Sequence, residues 1–342
     1  MTGAAGISLT FAIAAVGVLV FELAGLPLPF LLGPLFACLL AALLRVPMKG
    51  FGQFGVGMRT ILGVAVGAAI TPALLERVPE MAYSVALIPP FIMIIGAFGY
   101  PFFRRVCGFD HPTSYYAAMP GGFQDMVIFG EEAGGDVRAL SLIHATRVLI
   151  IVVTAPILLT QVWGVGLSNP PGAPASTLPV HEMALMVVAA LVGWKGGERI
   201  GLFGASILGP LAVTAVLSLT DFLHTRPPAE AIYAAQFFIG IGIGVKYAGV
   251  TLKEVRRDVL SGVAYVAVLA ALAFVFATIV ARAGFADSLE AFLAFAPGGQ
   301  AEMAVLTIIA GADLAFVVTH HMVRIILVIT GAPIAARLLD RG

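Results

Sequence analysis

Long apolar stretches separated by short polar segments form the dominant pattern of this chain. An α-helix needs about 20 apolar residues to cross a hydrocarbon core about 30 Å thick. Stretches of this kind recur along the sequence and predict ten membrane-spanning helices. The predicted spans cover roughly residues 7–25, 28–45, 54–75, 81–103, 137–162, 180–196, 201–220, 231–251, 259–281 and 314–337.

Two further apolar stretches, near residues 113–134 and 289–311, are rich in glycine and each contains Pro-Gly-Gly. Each stretch either crosses the membrane or enters and leaves it on one side. With both re-entrant and a cytoplasmic N-terminus, eleven Lys and Arg residues face the cytoplasm and three face outward. With both crossing, the division is eight against six. Because cytoplasmic loops carry an excess of Lys and Arg, we predict two re-entrant elements, cytoplasmic N- and C-termini, and a multi-pass protein of the bacterial inner membrane.

The composition excludes several other classes of protein. The 342 residues are 60% hydrophobic and 11% charged, with a mean hydropathy of +1.03, whereas soluble domains carry about 25% charged residues. Contact with membrane lipid is therefore expected. The net charge of zero speaks against a nucleic-acid partner, which requires a basic face. The two cysteines, Cys38 and Cys107, form no CxxC pair and predict free thiols in apolar surroundings.

The chain contains an internal repeat. Residues 120–157 align with residues 297–334 at a constant offset of 177, with twelve identities and no gap. A second match, Leu-Gly-Pro-Leu, begins at Leu32 and again at Leu208. The first repeat is predicted over 1–163, the linker over 164–179 and the second repeat over 180–342. Each repeat holds five predicted spans, an odd number, so the second enters the membrane inverted. The fold class is therefore an all-α polytopic membrane protein of two inverted five-helix repeats, each with a broken helix at Pro-Gly-Gly.

Two segments carry a resemblance to a known family. PGGFQDM at 120–126 and PGGQAEM at 297–303 are each followed by a helix with the spacing D-x(7)-H-x(2)-R. This arrangement resembles the duplicated AbrB-type integral membrane proteins, from Leu31 to Pro333. The family often carries the label of a regulator or an ammonia monooxygenase, and no motif here supports either label. The resemblance implies a duplicated membrane fold and a transport role without a defined substrate.

The Pro-Gly-Gly segments are the first candidate site residues. Proline removes a backbone donor and glycine permits a sharp bend, so both favour a helix break within the membrane. A helix that starts after such a break directs free N–H groups and its positive dipole end toward an anionic group. A simple turn at the membrane surface is the alternative. The residues are Pro120, Gly121, Gly122, Pro297, Gly298 and Gly299.

Carboxylates follow both segments at matching places. Asp125 and Glu302 each lie three residues after the second glycine, with Gln124 and Gln300 beside them. A carboxylate inside an apolar segment is costly and marks a functional candidate. Desolvation would allow it to carry a proton at neutral pH. The alternative is that each carboxylate caps the N-terminus of its own helix, and both roles are compatible.

The following helices carry a repeated polar face. Arg147 and Arg324 are charged residues at membrane depth, so each needs a partner. They either contact a substrate carboxylate or brace Asp125 and Glu302. The remaining polar residues on these helices are Asp136, Asp313, His144 and His321. We expect the two aspartates to cap helix N-termini and the histidines to form interior hydrogen bonds.

These features predict a secondary active transporter of a small organic anion or zwitterion, with alternating access around a midplane site. Coupling to H⁺ or Na⁺ through Asp125 or Glu302 is expected, with no other cofactor and no metal site. His320 and His321 are adjacent on a helix and point about 100° apart, which disfavours joint metal binding. The partner is a small solute, and a homodimer is left open. A channel and a membrane-embedded regulator or enzyme are the alternatives, although no catalytic motif indicates an enzyme.

Overall fold

The computed structural model describes residues 3–26, 28–167, 170–202 and 204–339. Within these ranges the regular structure is entirely helical. Short π-helical turns cover Phe102–Val106 and Val255–Val259, and 3₁₀ turns cover Ala175–Thr177 and Val245–Tyr247. The α-helices are α1 (Gly3–Leu23), α2 (Pro29–Leu43), α3 (Gly52–Met58), α4 (Thr60–Gly67), α5 (Pro72–Val85), α6 (Ile88–Pro101), α7 (His111–Ala118), α8 (Phe123–Glu132), α9 (Val137–Trp163), α10 (Val180–Arg199), α11 (Ala205–Leu219), α12 (Ala229–Gly244), α13 (Leu252–Glu254), α14 (Leu260–Arg282), α15 (Ser288–Phe295), α16 (Gln300–Ala310) and α17 (Leu314–Leu339).

Six helical segments in the described part of the chain are long and apolar enough to cross a membrane, as expected for a multi-pass membrane protein. Three of the other four predicted spans are helices that are shorter or more polar, whereas the span predicted over 54–75 is divided among α3, α4 and the start of α5. For example, α2 and α11 contain 15 residues each, about 22 Å at 1.5 Å per residue. The six segments are Ala5–Leu23, Pro79–Val106, Val137–Trp163, Ala229–Tyr247, Leu252–Arg282 and Leu314–Ala336.

The chain forms two compact units, and each takes segments from both halves of the sequence. The first unit contains Met1–Val78, Pro156–Gly249 and Ala304–Ala315. The second unit contains Pro79–Ala155, Val250–Met303 and Phe316–Gly342. Helices distant in sequence are therefore neighbours within each unit.

Glycines bring helices of the first unit into backbone contact. A Cβ at Gly17 of α1 would overlap the carbonyl of Gly33 of α2, and a Cβ at Gly193 of α10 would overlap the backbone of Gly209 of α11. Small residues allow this close approach between apolar helices, where van der Waals packing drives association. The helix pairs α1–α2 and α10–α11 thus use glycines at positions 176 residues apart.

A second set of glycine contacts links α4 to α11 and α12 to α2. Gly63 lies against the carbonyl of Ile207, and Gly240 lies against the carbonyl of Leu31. Only glycine permits these contacts because any Cβ would overlap the facing oxygen. The first unit is therefore assembled by exchange of contacts between early and late helices.

The second unit contains two helix interruptions beside most of the long helices α9 and α17. Helix α7 ends at Ala118 and α8 begins at Phe123, while α15 ends at Phe295 and α16 begins at Gln300. An aromatic cluster lies near the second interruption, with the ring centroids of Phe91 and Phe295 5.3 Å apart. These interruptions, which we call break 1 (119–122) and break 2 (296–299), position the candidate site.

Candidate functional site

Both breaks run through the protein interior. Met119, Pro120 and Gly121 of break 1 are buried, as are Pro297 and Gly298 of break 2. Met119 and Gly122 have extended backbone conformations, with ψ of 133° and 144°. The carbonyl groups at the end of each preceding helix consequently lose their helical partners, and buried carbonyls require other donors.

The two arginines supply these donors. Arg147 of α9 donates from Nη2 to the carbonyl of Gly121 at 2.8 Å and from Nη1 to that of Met119 at 3.3 Å. Arg324 of α17 donates to the carbonyls at the equivalent positions of break 2, Ala296 and Gly298, at 3.0 Å each. Both side chains are buried, at 5% and 4% exposure. Each guanidinium therefore braces backbone carbonyls, a role that the sequence did not indicate.

The two repeated histidines contact carbonyls of α7 and α15 that lie about one turn before those held by the arginines. His144 Nε2 lies 3.1 Å from the carbonyl oxygen of Tyr116, and His321 Nε2 lies 2.8 Å from that of Leu293. A carbonyl only accepts, so Nε2 carries the proton in both rings. The Nδ1 atom of neutral His321 then accepts from Arg324 Nη2 at 3.0 Å. The neighbouring His320 faces Ser84 Oγ at 3.0 Å.

Each break also packs against the long helix of the other half. A Cβ at Gly121 would contact Val328 of α17, and a Cβ at Gly298 would contact Ile151 of α9. Helix α9 thus holds break 1 through its arginine and contacts break 2 through its isoleucine. Helix α17 holds break 2 through Arg324 and contacts break 1 through Val328. The positive charges of Arg147 and Arg324 repel each other.

The repeated carboxylates lie at the starts of the helices that follow the breaks. Asp125 is in the first turn of α8 and Glu302 is in the first turn of α16, with exposures of 9% and 8%. The Glu302 carboxylate lies against Gly299, where a Cβ would overlap it. It also attracts the guanidinium of Arg147. The side chain of Gln124 lies outside what the structure describes.

Several buried polar atoms at the breaks have no hydrogen-bond partner in the described part of the chain. Three are donors: Arg147 Nε, Arg324 Nε and Gln300 Nε2. The fourth, His144 Nδ1, is an acceptor because Nε2 holds the proton. A buried polar atom without a partner costs about 1–3 kcal/mol, so a group that paired with these atoms would stabilise the breaks.

The two repeated aspartates have a different position. Asp136 accepts hydrogen bonds from the backbone N–H groups of Arg138 and Ala139, both at 3.0 Å. Asp313 accepts one from the N–H of Ala315 at 3.0 Å. This is N-cap geometry at the starts of α9 and α17, where the carboxylates stabilise the long helices.

Sequence reasoning missed two polar residues of the second unit. The Tyr265 hydroxyl lies 3.0 Å from the carbonyl of Ala118 and 3.1 Å from that of Ile95, and its single proton serves one at a time. Asp258 is a buried carboxylate whose Oδ1 has no hydrogen-bond partner in the described chain. Neither is part of the repeat, so the only sequence signal was a polar residue within or beside an apolar stretch.

These observations define a polytopic helical membrane protein in which two buried arginines at matching positions hold two helix breaks. The family model described as "Transition state regulatory protein AbrB" matches residues 30–340, and the chain belongs to this family.

Two relatives are similar over almost their whole length. The uncharacterized protein YhjN of Bacillus subtilis (strain 168) is 27% identical, over 96% of this chain and 91% of its own. The AbrB protein of Escherichia coli (strain K12), whose name gives it a provisional regulatory role, is 24% identical over 92% of this chain and 91% of its own.

Proposed function

We propose that the protein is a secondary active transporter of a small organic anion or zwitterion, with its binding site between break 1 and break 2. The observation that carries this proposal is the group of buried donors without acceptors at the breaks, namely Arg147 Nε, Arg324 Nε and Gln300 Nε2. A ligand that supplies acceptor oxygens would remove the cost of all three. Non-helical backbone at membrane depth is also typical of transporter sites.

The chemistry of the site favours a carboxylate. Two guanidiniums lie within electrostatic range of each other, so an anion between them would relieve their repulsion. The positive dipole end of α8, whose N-cap Gly122 offers no side chain, adds further positive potential. His144 Nδ1 is the single acceptor among the unpartnered atoms of the described breaks and suits a hydroxyl or ammonium group on the same solute.

Matched contacts support two inverted repeats as the basis of alternating access. Arg147 and Arg324 bind carbonyls that are also 177 residues apart. The glycine contacts Gly63–Ile207 and Gly240–Leu31 form a similar pair. Two equivalent halves that can exchange conformations would open the site to one side and then to the other. The atoms of the site are enclosed, so solute entry requires such a movement.

We propose coupling to H⁺ or Na⁺ through the carboxylates after the breaks. Glu302 attracts the guanidinium of Arg147, so binding a proton or sodium ion at Glu302 would weaken this attraction and change the position of break 2. Asp125 has the matching place after break 1. The cytoplasmic termini and inner-membrane location follow from the predicted charge distribution.

Replacement of Gln300 by Leu tests the site directly. Gln300→Leu removes a buried donor without a partner, so the ligand-free protein should be at least as stable as wild type. If the donor binds solute, affinity should fall by about tenfold or more, the effect of losing about 1.5 kcal/mol. Affinity would be measured by calorimetry on purified protein with a solute found by a thermal-shift screen of organic acids and amino acids.

Gln236→Leu is the matched control. Gln236 of α12 is also buried and its Nε2 also lacks a partner in the described chain, but it belongs to the first unit. An equal loss of affinity in both variants would contradict a site at the breaks, and so would unchanged affinity in both.

Uptake into proteoliposomes that saturates and depends on a proton or sodium gradient would distinguish a transporter from a channel, whose flux requires no gradient of a second ion.

A further inference from the structure

An apolar groove of about 380 Å³ lies in the second unit, between α6, α7 and α17. Its lining includes Gly96 of α6, Met119 at the end of α7 and Gly331 of α17. A Cβ at Gly331 would meet nothing within 4 Å, so the groove is open at this point. Met93, another lining residue, is 72% exposed. In a membrane-spanning segment, such exposure means that the groove opens toward lipid.

One end of the groove is polar, and a basic segment follows it in the sequence. Tyr100 lines this end and its hydroxyl lies 2.7 Å from His111 Nδ1. The chain then passes directly into the π-helical turn Phe102–Val106, where Arg104 and Arg105 are exposed. Arg104 donates to a backbone carbonyl, which holds its side chain near the turn. Neither arginine lines the groove, but both follow Pro101, its last lining residue on α6, by three and four residues. We call this segment the basic end of the groove.

The C-terminal part of α17 lies at the same end. Ala332 and Ala335 line the groove, and the carbonyl of Ala332 accepts a hydrogen bond of 2.8 Å from the hydroxyl of Tyr115. The Tyr115 ring stacks near that of His111, with centroids 6.4 Å apart. In sequence, Arg337 follows two residues after Ala335. By the positive-inside rule, this end belongs at the cytoplasmic face.

We propose that the groove binds an anionic phospholipid of the cytoplasmic leaflet. One acyl chain lies against Gly96 and Gly331, and the phosphate lies at Arg104 and Arg105. An acyl chain matches the apolar lining and the opening at membrane depth, while the basic end matches the negative headgroup. Basic pockets beside membrane helices on the cytoplasmic side commonly bind such headgroups. The proposal depends on the basic end being cytoplasmic and does not depend on the transported solute.

Native mass spectrometry of the full chain in neutral detergent tests this proposal. The purified protein would be titrated with phosphatidylglycerol or, separately, with phosphatidylcholine. We expect one tightly retained phosphatidylglycerol and at least tenfold weaker retention of phosphatidylcholine. Arg105→Gln keeps the bond between Arg104 and the Phe109 carbonyl and should weaken phosphatidylglycerol binding, and the double variant Arg104→Gln/Arg105→Gln should reduce it to the phosphatidylcholine level.

Gly331→Leu tests the acyl-chain part of the proposal. The leucine Cβ would enter open space without contacting protein atoms, so the protein should fold while the groove is filled. We expect loss of the retained lipid. Two control variants should keep it. Gly242→Leu changes another glycine at which a Cβ would meet no atom within 4 Å, and Arg282→Gln changes an exposed arginine.

Three results would overturn the proposal. Equal retention of both lipids in wild type would show no headgroup selectivity. Retention unchanged in Gly331→Leu would place the lipid on the basic surface alone and not in the groove. The third result has two parts: a small apolar solute displaces the lipid at low concentration, and the same solute binds the double arginine variant as well as it binds wild type. Both together would identify the groove as a solute pocket. None of these results bears on solute affinity at the breaks, so the transport proposal is tested separately.

Discussion

Arg147 and Arg324 bind the same two carbonyl positions in two different helix breaks. Arg147 reaches Met119 and Gly121, and Arg324 reaches the residues 177 positions later, Ala296 and Gly298. Backbone carbonyls carry only partial charge, so these hydrogen bonds hold the guanidiniums without neutralising them. A buried cation held in this way still favours an anion nearby.

The first prediction concerns these two arginines. Lysine keeps the charge but cannot supply a planar fork to two carbonyls, so Arg147→Lys and Arg324→Lys should each lose a charge-assisted hydrogen bond. We expect a reduction of about 1.5–3 kcal/mol in the free energy of unfolding. Solute affinity should also fall because lysine has no counterpart of Nε. Thermal melts and calorimetry would measure both effects.

The exposed residue Arg282 provides a control for this substitution. Arg282→Lys should leave both melting temperature and affinity unchanged. Wild-type stability in the two test variants would mean that the carbonyl contacts contribute nothing. Reduced stability with normal affinity in both would remove the arginines from the binding site and leave them as braces only.

The helix breaks have a signal in the sequence, but the partners of their carbonyl groups do not. Pro-Gly-Gly predicts an interruption because proline lacks a donor and glycine permits the bend, and the helices do stop at Ala118 and Phe295. The arginine contacts were not predictable, because every residue has a backbone carbonyl and no side chain identifies which carbonyl will accept a hydrogen bond. For the same reason, the role of Tyr265 at the Ala118 carbonyl depended on the tertiary structure.

The sequence also did not predict that each unit is assembled from helices of both halves. Small residues such as Gly240 favour close helix contact, but nothing in the sequence identifies Leu31 as the neighbour. Short helices such as α2 and α11 are a further example. Their apolar composition predicts spans, whereas their length of 15 residues depends on where neighbouring turns end them.

The second prediction compares two glycines on α12. A Cβ at Gly240 would overlap the Leu31 carbonyl, whereas a Cβ at Gly242 would meet nothing within 4 Å. Gly240→Ala should therefore destabilise the protein by about 1–3 kcal/mol through overpacking. Gly242→Ala should be neutral or stabilising by up to about 1 kcal/mol, since it reduces the freedom of the unfolded chain. Equal melting temperatures in these two variants would contradict the close α12–α2 contact.

The third prediction concerns pH and the loop before α12. Hydrogen bonds to the Glu182 carboxylate, and secondly to Asp221, raise the pKa of the exposed His224 above its ordinary 6.5. Its ring nitrogens lie 3.3 Å from Glu182 and 3.1 Å from Asp221. A raised pKa in the folded state means that the stabilisation is fully present below 6.5 and is lost as pH rises through the raised value.

We therefore expect the melting temperature to decrease from about pH 6 to about pH 8, the range in which histidine titrates. His224→Gln cannot gain a charge, so its melting temperature should vary less over this range. His181→Gln, at an exposed histidine of α10, serves as the comparison and should keep the wild-type slope. An identical slope in wild type and His224→Gln would exclude this histidine as the titrating group.

The last prediction concerns the carboxylates that follow the breaks. Asp125→Asn and Glu302→Gln preserve side-chain size but cannot release or bind a proton as the carboxylates do. If these groups couple transport, the variants should lose uptake driven by a proton gradient and keep exchange of solute across the membrane. Glu302→Gln should have the larger effect, because Glu302 attracts the guanidinium of Arg147 and its neutralisation changes the balance between the two breaks.

Glu230 provides the matched control, since it also lies in the first turn of a helix but is exposed. Glu230→Gln should transport as wild type does. Each variant would be reconstituted in proteoliposomes, and uptake would be measured with a proton gradient, with a sodium gradient and with internal solute alone. Loss of sodium-driven uptake in the same variants would identify Na⁺ as the coupling ion. If uptake still depends on the gradient in both single variants and in the double variant, the two carboxylates are excluded from coupling. Coupling would then have to use another buried acid such as Asp258, whose Oδ1 lacks a hydrogen-bond partner in the described chain.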